Sequence, residues 1–432
     1  MSENNNRFPR VLIVSAEPLS LASATGCTLL SLLAGWPKEC LAQIYDNDNQ
    51  PDPTKCSTSR RFSNTNLSIV KVLKFITKKM RRHKSKVVNV SGKRIASITS
   101  YSASHDVLSA YSDILPFSVP SSIDKWVAEF RPDVIYSVLG SIRMMKVVDK
   151  LSESNSIPII VHFMDDWPGM LYLKSWLLFI PRTILNIKLR AILNRSNSRL
   201  TICQDMAEEY KLRYGVDFES YMNCVAVQSF SSPTEHKINS KIKFGFVGGL
   251  HLNRWRSLLL IVTALQELEN HGELITLDIY APQNDITAYG KLFADFSVVG
   301  NFATLDTSII NSELARFDVL VHVESFLDDD ARYTRLSIST KIPQYMASGR
   351  PILGFGPASL SSIRYIEKMA AGLIITNYNN PIPLIKSDAL RLISSSELRH
   401  TLGLNGFRIA TKFHNASIES EKFRSCIIAA SA

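Results

Sequence analysis

Short apolar runs alternate along this chain with segments whose apolar residues follow a helical period. In the first half, IDKWVAEF at 123–130 has the helical spacing, and the runs that predict buried strands lie at 10–16, 41–46, 133–139, 157–163 and 199–204. Strands and helices in alternation are typical of a parallel sheet with helices on both faces.

Residues 229–241 interrupt this pattern, because SFSSPTEHKINSK is polar and contains Pro233, which is typical of a linker. The alternation then restarts, and the second set of predicted strands lies at 241–249, 274–281, 296–300, 317–323, 350–355 and 371–376. We therefore predict an α/β protein with two doubly wound, Rossmann-like domains, one at 1–228 and one from 242 onwards. Ligands of such sheets bind at the carboxyl ends of the strands, so we expect the site in the cleft between the domains.

The composition is typical of a soluble globular protein: the 432 residues include 45% hydrophobic and 20% charged residues. These values exclude a collagen-like repeat, a wholly disordered chain and a disulfide-rich miniprotein. The six cysteines form no CxxC or CxxH pair, which argues against a structural zinc site. The start, MSENNNRFPR, lacks an apolar signal core, and no apolar run has the length of a spanning helix, so we expect a cytoplasmic protein.

The net charge of +10 comes from one region. Residues 53–105 hold 13 Lys and Arg and no Asp or Glu, and subtracting 13 from +10 leaves −3 for the remainder. Within this region, one face of a predicted basic helix carries Ile69, Leu73, Ile76 and Met80. Three interpretations stay open: a solvated surface helix, docking of residues 55–94 on an anionic membrane, and nucleic-acid binding. We rank the last lowest, because no recognition motif accompanies the charge.

A glycine pair follows the first strand of the second domain. Residues 244–254 read FGFVGGLHLNR, and we predict a helix from about Ser257. Gly248 and Gly249 would let the backbone approach a ligand closely, and the helix N-terminus favours an anion. Arg254 and Arg256 precede that helix and could grip a diphosphate. A tight turn without a ligand would give the same glycine pattern.

The segment 333–357, YTRLSISTKIPQYMASGRPILGFGP, carries a stronger signal. Ser339 and Thr340 can cap a helix that begins near Lys341, and Gly349 ends it. A lysine at a helix N-terminus opposes the helix dipole, and an anionic ligand there would resolve the conflict. A solvated lysine on a surface turn is the alternative.

These residues carry a resemblance to a known family. A Gly-Gly turn before a basic residue, followed about 90 residues later by K-x-x-x-Y-M-A-S-G-R-P-I-L, resembles the donor half of glycosyltransferases of the GT-B fold. The likeness is nearest to the retaining family 4 group, which includes bacterial polysaccharide-assembly enzymes. The resemblance implies that the second domain, 242–405, binds a nucleotide-sugar donor and that a terminal helix within 406–432 packs back towards the first domain.

The resemblance also assigns residues to the donor. In this family two basic positions neutralise the diphosphate, a role that would fall to Arg254, with Arg256, and to Lys341. An acidic pair spaced by seven residues is usual in the family, but its second position holds Gln344 here. Glu324, at the end of a predicted strand, is then the best acidic candidate, and an exposed loop acid is its alternative.

The first domain would bind the acceptor. The strand at 157–163 delivers His162, and Asp165 and Asp166 follow in the loop at its carboxyl end, where family members place a His or Asp near the sugar or acceptor. We nominate these three as catalytic, with a core histidine and a helix cap as the alternatives. The resemblance implies that Thr25 and Gly26 contact the acceptor.

Two further segments raise the questions of metal and membrane. We discount a metal at Asp328–Asp329–Asp330, because consecutive side chains diverge and the family generally needs no metal ion. The segment 170–193 is apolar with interspersed cations, which fits either a core helix pair or a membrane-facing rim.

Taken together, these observations predict an EC 2.4 glycosyltransferase that uses a UDP- or GDP-sugar and no other cofactor, with a saccharide or lipid-linked acceptor in surface polysaccharide synthesis. A peripheral position on the inner face of the membrane would fit the basic segment, and we expect no nucleic-acid partner. The alternatives are a nucleotide-sugar 2-epimerase, which needs no acceptor, and a non-catalytic GT-B assembly protein, for which the Gln344 departure is an argument.

Overall fold

The computed structural model describes residues 8–21, 23–62, 87–90, 93–96, 103–116, 118–173, 175–230 and 241–431. The basic helix predicted around residues 69–80 lies outside this described part, as do residues 231–240 of the predicted linker.

The first half of the chain forms a parallel sheet with helices packed around it. Its strands are β1 (Val11–Ser15), β2 (Leu41–Tyr45), β3 (Thr58–Arg61), β4 (Val87–Val90), β5 (Lys93–Ala96), β6 (Val134–Ser137), β7 (Ile159–Phe163), β8 (Ser198–Thr201) and β9 (Glu219–Ser220). Seven strands pair in parallel in the order β3-β2-β1-β6-β7-β8-β9, and β4 pairs with β5 in an antiparallel hairpin. The helices are α1 (Ala24–Leu32), α2 (Ala103–Ile114), α3 (Ser121–Phe130), α4 (Ile142–Asn155), α5 (Trp167–Met170), α6 (Phe179–Arg195) and α7 (Gln204–Tyr214).

The second half repeats this architecture. Its strands are β10 (Ile242–Val247), β11 (Ile275–Tyr280), β12 (Val299–Ala303), β13 (Val319–Val323), β14 (Ile352–Phe355) and β15 (Gly372–Ile375), all parallel in the order β12-β11-β10-β13-β14-β15. Its helices are α8 (Arg254–Asn270), α9 (Gln283–Phe293), α10 (Ile310–Leu314), α11 (Asp328–Thr334), α12 (Lys341–Ala347), α13 (Ser361–Lys368), α14 (Pro381–Ser394), α15 (Ser396–Phe413) and α16 (Ala416–Ser431).

Burial explains why the strands could be predicted from the sequence. Every residue of β1, β7 and β13 is buried, because helices cover both faces of each sheet, and strands buried on both faces read as continuous apolar runs. The predicted α/β fold of two doubly wound domains is confirmed. Each sheet reverses its strand order at one point, between β1 and β6 and between β10 and β13, which is where ligands bind in such sheets.

Two predicted boundaries shift. The strand predicted at 296–300 lies at Val299–Ala303, because Phe296 closes a turn after α9 through its amide to the Phe293 carbonyl. The helix predicted from Ser257 begins at Arg254, so this arginine belongs to its first turn.

The C-terminal helix α16 packs against the first sheet. Phe423, Ile427 and Ala430 lie in one buried cluster with Val11 and Ile13 of β1. The backbone of Val225 also bridges to the chain just before α16, since its amide donates to the His414 carbonyl and its carbonyl accepts from Ala416.

Candidate functional site

A cavity of about 400 Å³ lies between the two domains, at the carboxyl ends of both sheets. The first domain contributes the start of α1 and the loop after β7, and the second contributes the loops after β10 and β13 and the start of α12. Hereafter we call this cavity the cleft. Both strand-order reversals face it, so its position is the one that the doubly wound topology favours for a ligand.

The glycine turn after β10 forms part of the second domain's wall. At Gly249 a side chain would collide with the ring of His251, so the backbone can pass there only without a Cβ. The hydroxyl of Tyr345 donates to the Val247 carbonyl at 3.0 Å and accepts from the Val247 amide at 2.9 Å. Tyr345 thereby ties the end of β10 to α12, and the two halves of the sequence signal are physically connected.

Arg254 lies beside this turn and is paired with a buried acid. Its Nε donates to Glu324 Oε2 at 2.9 Å, and Glu324 is only 2% exposed. The other carboxylate oxygen, Oε1, lies 3.3 Å from His322 Nε2 and accepts a hydrogen bond from Ser362 at 3.4 Å. Burial alone would raise the pKa of Glu324, but the charge of Arg254 and the contact with His322 lower it to about 2. Glu324 therefore fixes the guanidinium so that its terminal nitrogens are left for a ligand.

Lys341 is the first residue of α12 and lines the cleft. Its side chain is half-buried, and none of the ion pairs in the described ranges involves it. Burial lowers its pKa, and the only group that raises it is the Cys27 thiol. Ser339 Oγ accepts a weak hydrogen bond from the Lys341 amide at 3.4 Å, whereas the Thr340 side chain caps nothing. A half-buried ammonium without a carboxylate is suited to an anionic ligand.

Asp165 faces the cleft from the first domain. Its Oδ1 is buried with no hydrogen-bond partner among the described residues, and its Oδ2 accepts only a long 3.5 Å hydrogen bond from Tyr333 of the second domain. Burial raises the pKa of Asp165; the Tyr333 hydrogen bond opposes this, and the neighbouring Asp166 charge adds to it. A buried carboxylate oxygen without a hydrogen-bond partner in a cavity is typical of a ligand-binding site.

Asp166 and His162 have different surroundings. Asp166 caps α5 through the Gly169 amide, accepts from the Tyr210 hydroxyl at 2.9 Å and forms a two-point salt bridge with Arg213 at 2.7 and 3.1 Å. His162 is fully buried in β7, hydrogen-bonds the Tyr136 hydroxyl and has its pKa lowered by burial to about 4. Neither lines the cleft, and their contacts match the helix cap and the core histidine weighed from the sequence.

The cleft gathers most of the residues nominated from the sequence. Those that line it are Thr25, Asp165, Gly248, Gly249, Arg254, Glu324, Ser339, Thr340 and Lys341. Three others lie elsewhere. Gly26 packs against the Ser20 carbonyl, Arg256 is exposed with its guanidinium over the Trp255 ring, and Gln344 lines a neighbouring pocket.

Sequence reasoning missed several groups that the fold brings to the cleft, among them Tyr333, Ser337, His251 and His322. One of them, His322, had a signal in the sequence, since it precedes Glu324 by two positions at the end of one strand and so shares its face. Tyr333 had none, because its contact with Asp165 spans 168 positions. In the acidic run at 328–330, Asp330 accepts hydrogen bonds from Asn253 and Ser325, each at 2.8 Å. No metal-binding cluster occurs in the described ranges.

No protein-family model matches the chain, and no curated protein matches its sequence. Solved structures do match its fold. HepE from Anabaena, in complex with UDP, has a TM-score of 0.63 at 12% identity, covering 97% of this chain and 99% of that one. Sucrose-phosphate synthase from Thermosynechococcus elongatus has a TM-score of 0.58 at 10% identity, covering 96% and 97%. WaaG, a glycosyltransferase involved in lipopolysaccharide biosynthesis, has a TM-score of 0.54 at 12% identity, covering 96% and 98%. The architecture of the chain is thus that of GT-B glycosyltransferases.

Proposed function

We propose that this protein is a glycosyltransferase that moves a sugar from a nucleoside-diphosphate sugar to a hydroxyl group of a saccharide or lipid-linked saccharide. The observation that carries the proposal is the cationic wall of the cleft, where Arg254 and Lys341 flank the glycine turn at the carboxyl ends of the second sheet. A diphosphate is the ligand class that this wall fits best, because two cations, one of them held by Glu324, line one cavity beside a glycine turn.

The likeness to HepE supports the nature of the donor, since HepE has been crystallised with UDP and with UDP-glucose. We propose that Arg254 and Lys341 hold the diphosphate and stabilise the charge that develops on it as the sugar leaves, without a metal ion. Gly248 and Gly249 allow the phosphates to approach the backbone, and Ser339 and Thr340 present amides at the start of α12. Gln344 is assigned to the edge of the nucleotide site, where it would hold a ribose hydroxyl in place of the usual acid.

We assign the acceptor side to the first domain. Asp165 reaches the cleft with a free buried oxygen, and we propose that it accepts a hydrogen bond from the reacting hydroxyl group or from the transferred sugar. Thr25 lies across the cleft at the start of α1 and would contact the same ligands. Retention of the anomeric configuration is proposed on the family resemblance.

We propose a role in surface polysaccharide synthesis at the inner face of the membrane. Every helix in the described ranges is too short or too polar to cross a bilayer. Apolar side chains are nevertheless exposed before and along α6: Leu173 (50%) and Trp176 (80%) precede this helix, and Phe179 (61%) and Ile187 (62%) lie in it. The unaltered protein should therefore sediment with vesicles of anionic lipid, whereas the double variant Trp176→Ser, Phe179→Ser should stay in the supernatant. Equal pelleting of the two proteins would contradict the location.

Calorimetric titration with UDP, GDP, CDP and ADP, each without added metal, tests the donor assignment. We expect micromolar binding of one nucleotide, lost in Lys341→Ala and kept in Lys291→Ala, an exposed lysine outside the cleft. Failure to bind any nucleotide would contradict the proposal and favour the non-catalytic alternative. Epimerised donor appearing in the absence of an acceptor would favour the epimerase.

A further inference from the structure

A second pocket, of about 560 Å³, adjoins the cleft. It runs along α1 and is closed on the other side by residues 223–226 and by the start of α12. Cys27, Thr340 and Lys341 line both spaces, so a ligand in this pocket would meet a ligand in the cleft at that shared wall. We call it the lysine pocket.

The charge of the lysine pocket is one-sided. The described residues that line it include Lys38, Lys55 and Lys341 and no Asp or Glu. None of these lysines takes part in an ion pair of the described ranges. Asp52 feels the charge of Lys55, but it does not line the pocket, and its carboxylate accepts hydrogen bonds from the amide and hydroxyl of Thr54 at 2.8 and 2.7 Å.

A third cavity between the domains shows that an excess of positive charge is not a general property of the interface. That cavity, of about 720 Å³, lies by the starts of α7 and α13. It has three cations, Arg364, Lys368 and Lys422, against four acids, Asp205, Glu219, Glu367 and Glu419. Arg364 and Asp205 are paired at 2.6 Å. The two cavities therefore differ in charge: acids line the larger one beside its cations, whereas no acid lines the lysine pocket beside Lys341 and the exposed Lys38 and Lys55.

The other lining groups suit a sugar. Ser31, Asn223 and Asn311 contribute hydroxyl and amide groups to its lining, and the Trp36 side chain adds an apolar surface. Asn223 also connects the two domains here, because its amide donates to the Thr340 carbonyl at 3.0 Å. Polar hydrogen-bonding groups beside an aromatic ring are typical of saccharide sites.

We propose that the lysine pocket binds the acceptor and that this acceptor carries a phosphate or carboxylate group. The proposal rests on the proposed function and deepens it, since it names the substrate class of the same enzyme. Lys341 stands at the shared wall, next to the donor diphosphate, while Lys38 and Lys55 take the anionic group at the far end. Because the donor diphosphate compensates Lys341, a neutral saccharide would leave Lys38 and Lys55 without a counter-charge.

The test uses the full chain saturated with UDP, so that the donor site is occupied. Glucose, glucuronate and glucose 6-phosphate serve as calorimetric probes of the remaining site. We expect at least one anionic probe to bind about tenfold or more tightly than glucose, because each anion gains charge-assisted hydrogen bonds that glucose lacks. The anion that binds more tightly decides between a carboxylate and a phosphate.

The double variant Lys38→Glu, Lys55→Glu should abolish this preference and leave the Kd for UDP unchanged. Lys125→Glu with Lys291→Glu makes the same change in net charge at exposed positions outside the pocket and should keep the preference. Equal binding of the three probes would overturn the acceptor assignment, and so would weaker UDP binding in the double variant, which would make the pocket part of the nucleotide site. Absence of UDP binding by the unaltered protein would instead overturn the proposed function itself.

Discussion

On the second domain's wall of the cleft, Glu324 is buried but paired, with Arg254 at 2.9 Å and His322 at 3.3 Å. On the first domain's wall, Asp165 has one buried oxygen without a partner in the described structure and a single long contact, 3.5 Å, to Tyr333. Electrostatics moves their pKa values in opposite directions, to about 2 for Glu324 and upwards for Asp165.

The difference separates two uses of a buried carboxylate. A paired acid recovers part of its desolvation cost from its cationic partner and holds that partner in a fixed orientation. An unpaired acid destabilises the folded protein, and such a cost is typical of binding and catalytic sites. Asp165 and Asp166 make the same contrast within two adjacent residues, because Asp166 has Arg213, Tyr210 and the cap of α5 as partners.

The largest expected effects come from exchanging the two aspartates for asparagine. Asp165→Asn should lower kcat by roughly 100-fold or more, the usual loss for a polar group that acts on the reacting centre. Its thermal stability should hold or rise, since an unpaired charge is removed. Asp166→Asn should instead destabilise the protein by about 1–3 kcal/mol, because Arg213 loses its buried counter-charge and keeps only the contact with Glu209 at 2.9 Å.

Steady-state kinetics and denaturant unfolding of both variants measure these effects. An Asp165→Asn protein that unfolds early but turns over normally would reverse the contrast and move the acceptor contact elsewhere in the cleft. Activity losses that are equal in the two variants would show that the pairing of a carboxylate does not distinguish their roles.

The sequence could separate the domains but not these two aspartates. The fold was predictable because both sheets are buried on two faces, and the second domain's wall of the cleft was predictable because its signals are local: a glycine pair, a helix start and a lysine. The environment of Asp165 and Asp166 depends instead on Tyr333 and Arg213, which lie 168 and 47 positions away. Adjacent identical residues carry no pattern that tells which of them the fold will pair.

The second effect concerns the paired acid. Glu324→Gln should weaken nucleotide binding about tenfold and destabilise the protein by about 3 kcal/mol, because Arg254 keeps a hydrogen-bond acceptor but loses its buried counter-charge. The matched control is Glu313→Gln, which removes the salt bridge between Glu313 and Arg316 at 2.7 Å. The Arg316 side chain is 66% exposed. That control should cost less than about 1 kcal/mol and leave nucleotide binding intact. Similar behaviour of the two variants would remove the orienting role from Glu324.

A smaller effect tests the tie between the glycine turn and α12. Tyr345→Phe loses both hydrogen bonds to Val247, so we expect a stability loss of about 1–2 kcal/mol and a nucleotide affinity reduced a few-fold. Tyr365→Phe removes a buried hydroxyl bonded to His414 Nε2 at 2.7 Å, away from the cleft. It should cost similar stability without any change in nucleotide affinity, and a change of affinity in both would point to a general loosening of the fold.

The smallest expected effect tests whether burial of a titratable group is enough to identify it as functional. His162 is buried with a pKa lowered from 6.5 to about 4, yet it lies outside the cleft. Because its folded pKa lies below the unfolded value, the unfolded state binds the proton first as the pH falls. The stabilising contribution of neutral His162 is therefore complete above pH 6.5 and is lost as the pH falls towards 4, by up to about 1.4 kcal/mol per pH unit.

His162→Gln keeps an acceptor for the Tyr136 hydroxyl and removes the titration, so its stability should fall less steeply between pH 6.5 and 4 than that of the unaltered protein. At pH 5.5 the two slopes should differ by about 1.2 kcal/mol per pH unit, measured by denaturant unfolding across the pH range. His271→Gln, at an exposed position, controls for the loss of an imidazole. Unchanged kcat in His162→Gln would assign this histidine, like Asp166, to the stability of the first domain. A large fall in kcat with unaltered stability would instead assign it a functional role like that of Asp165.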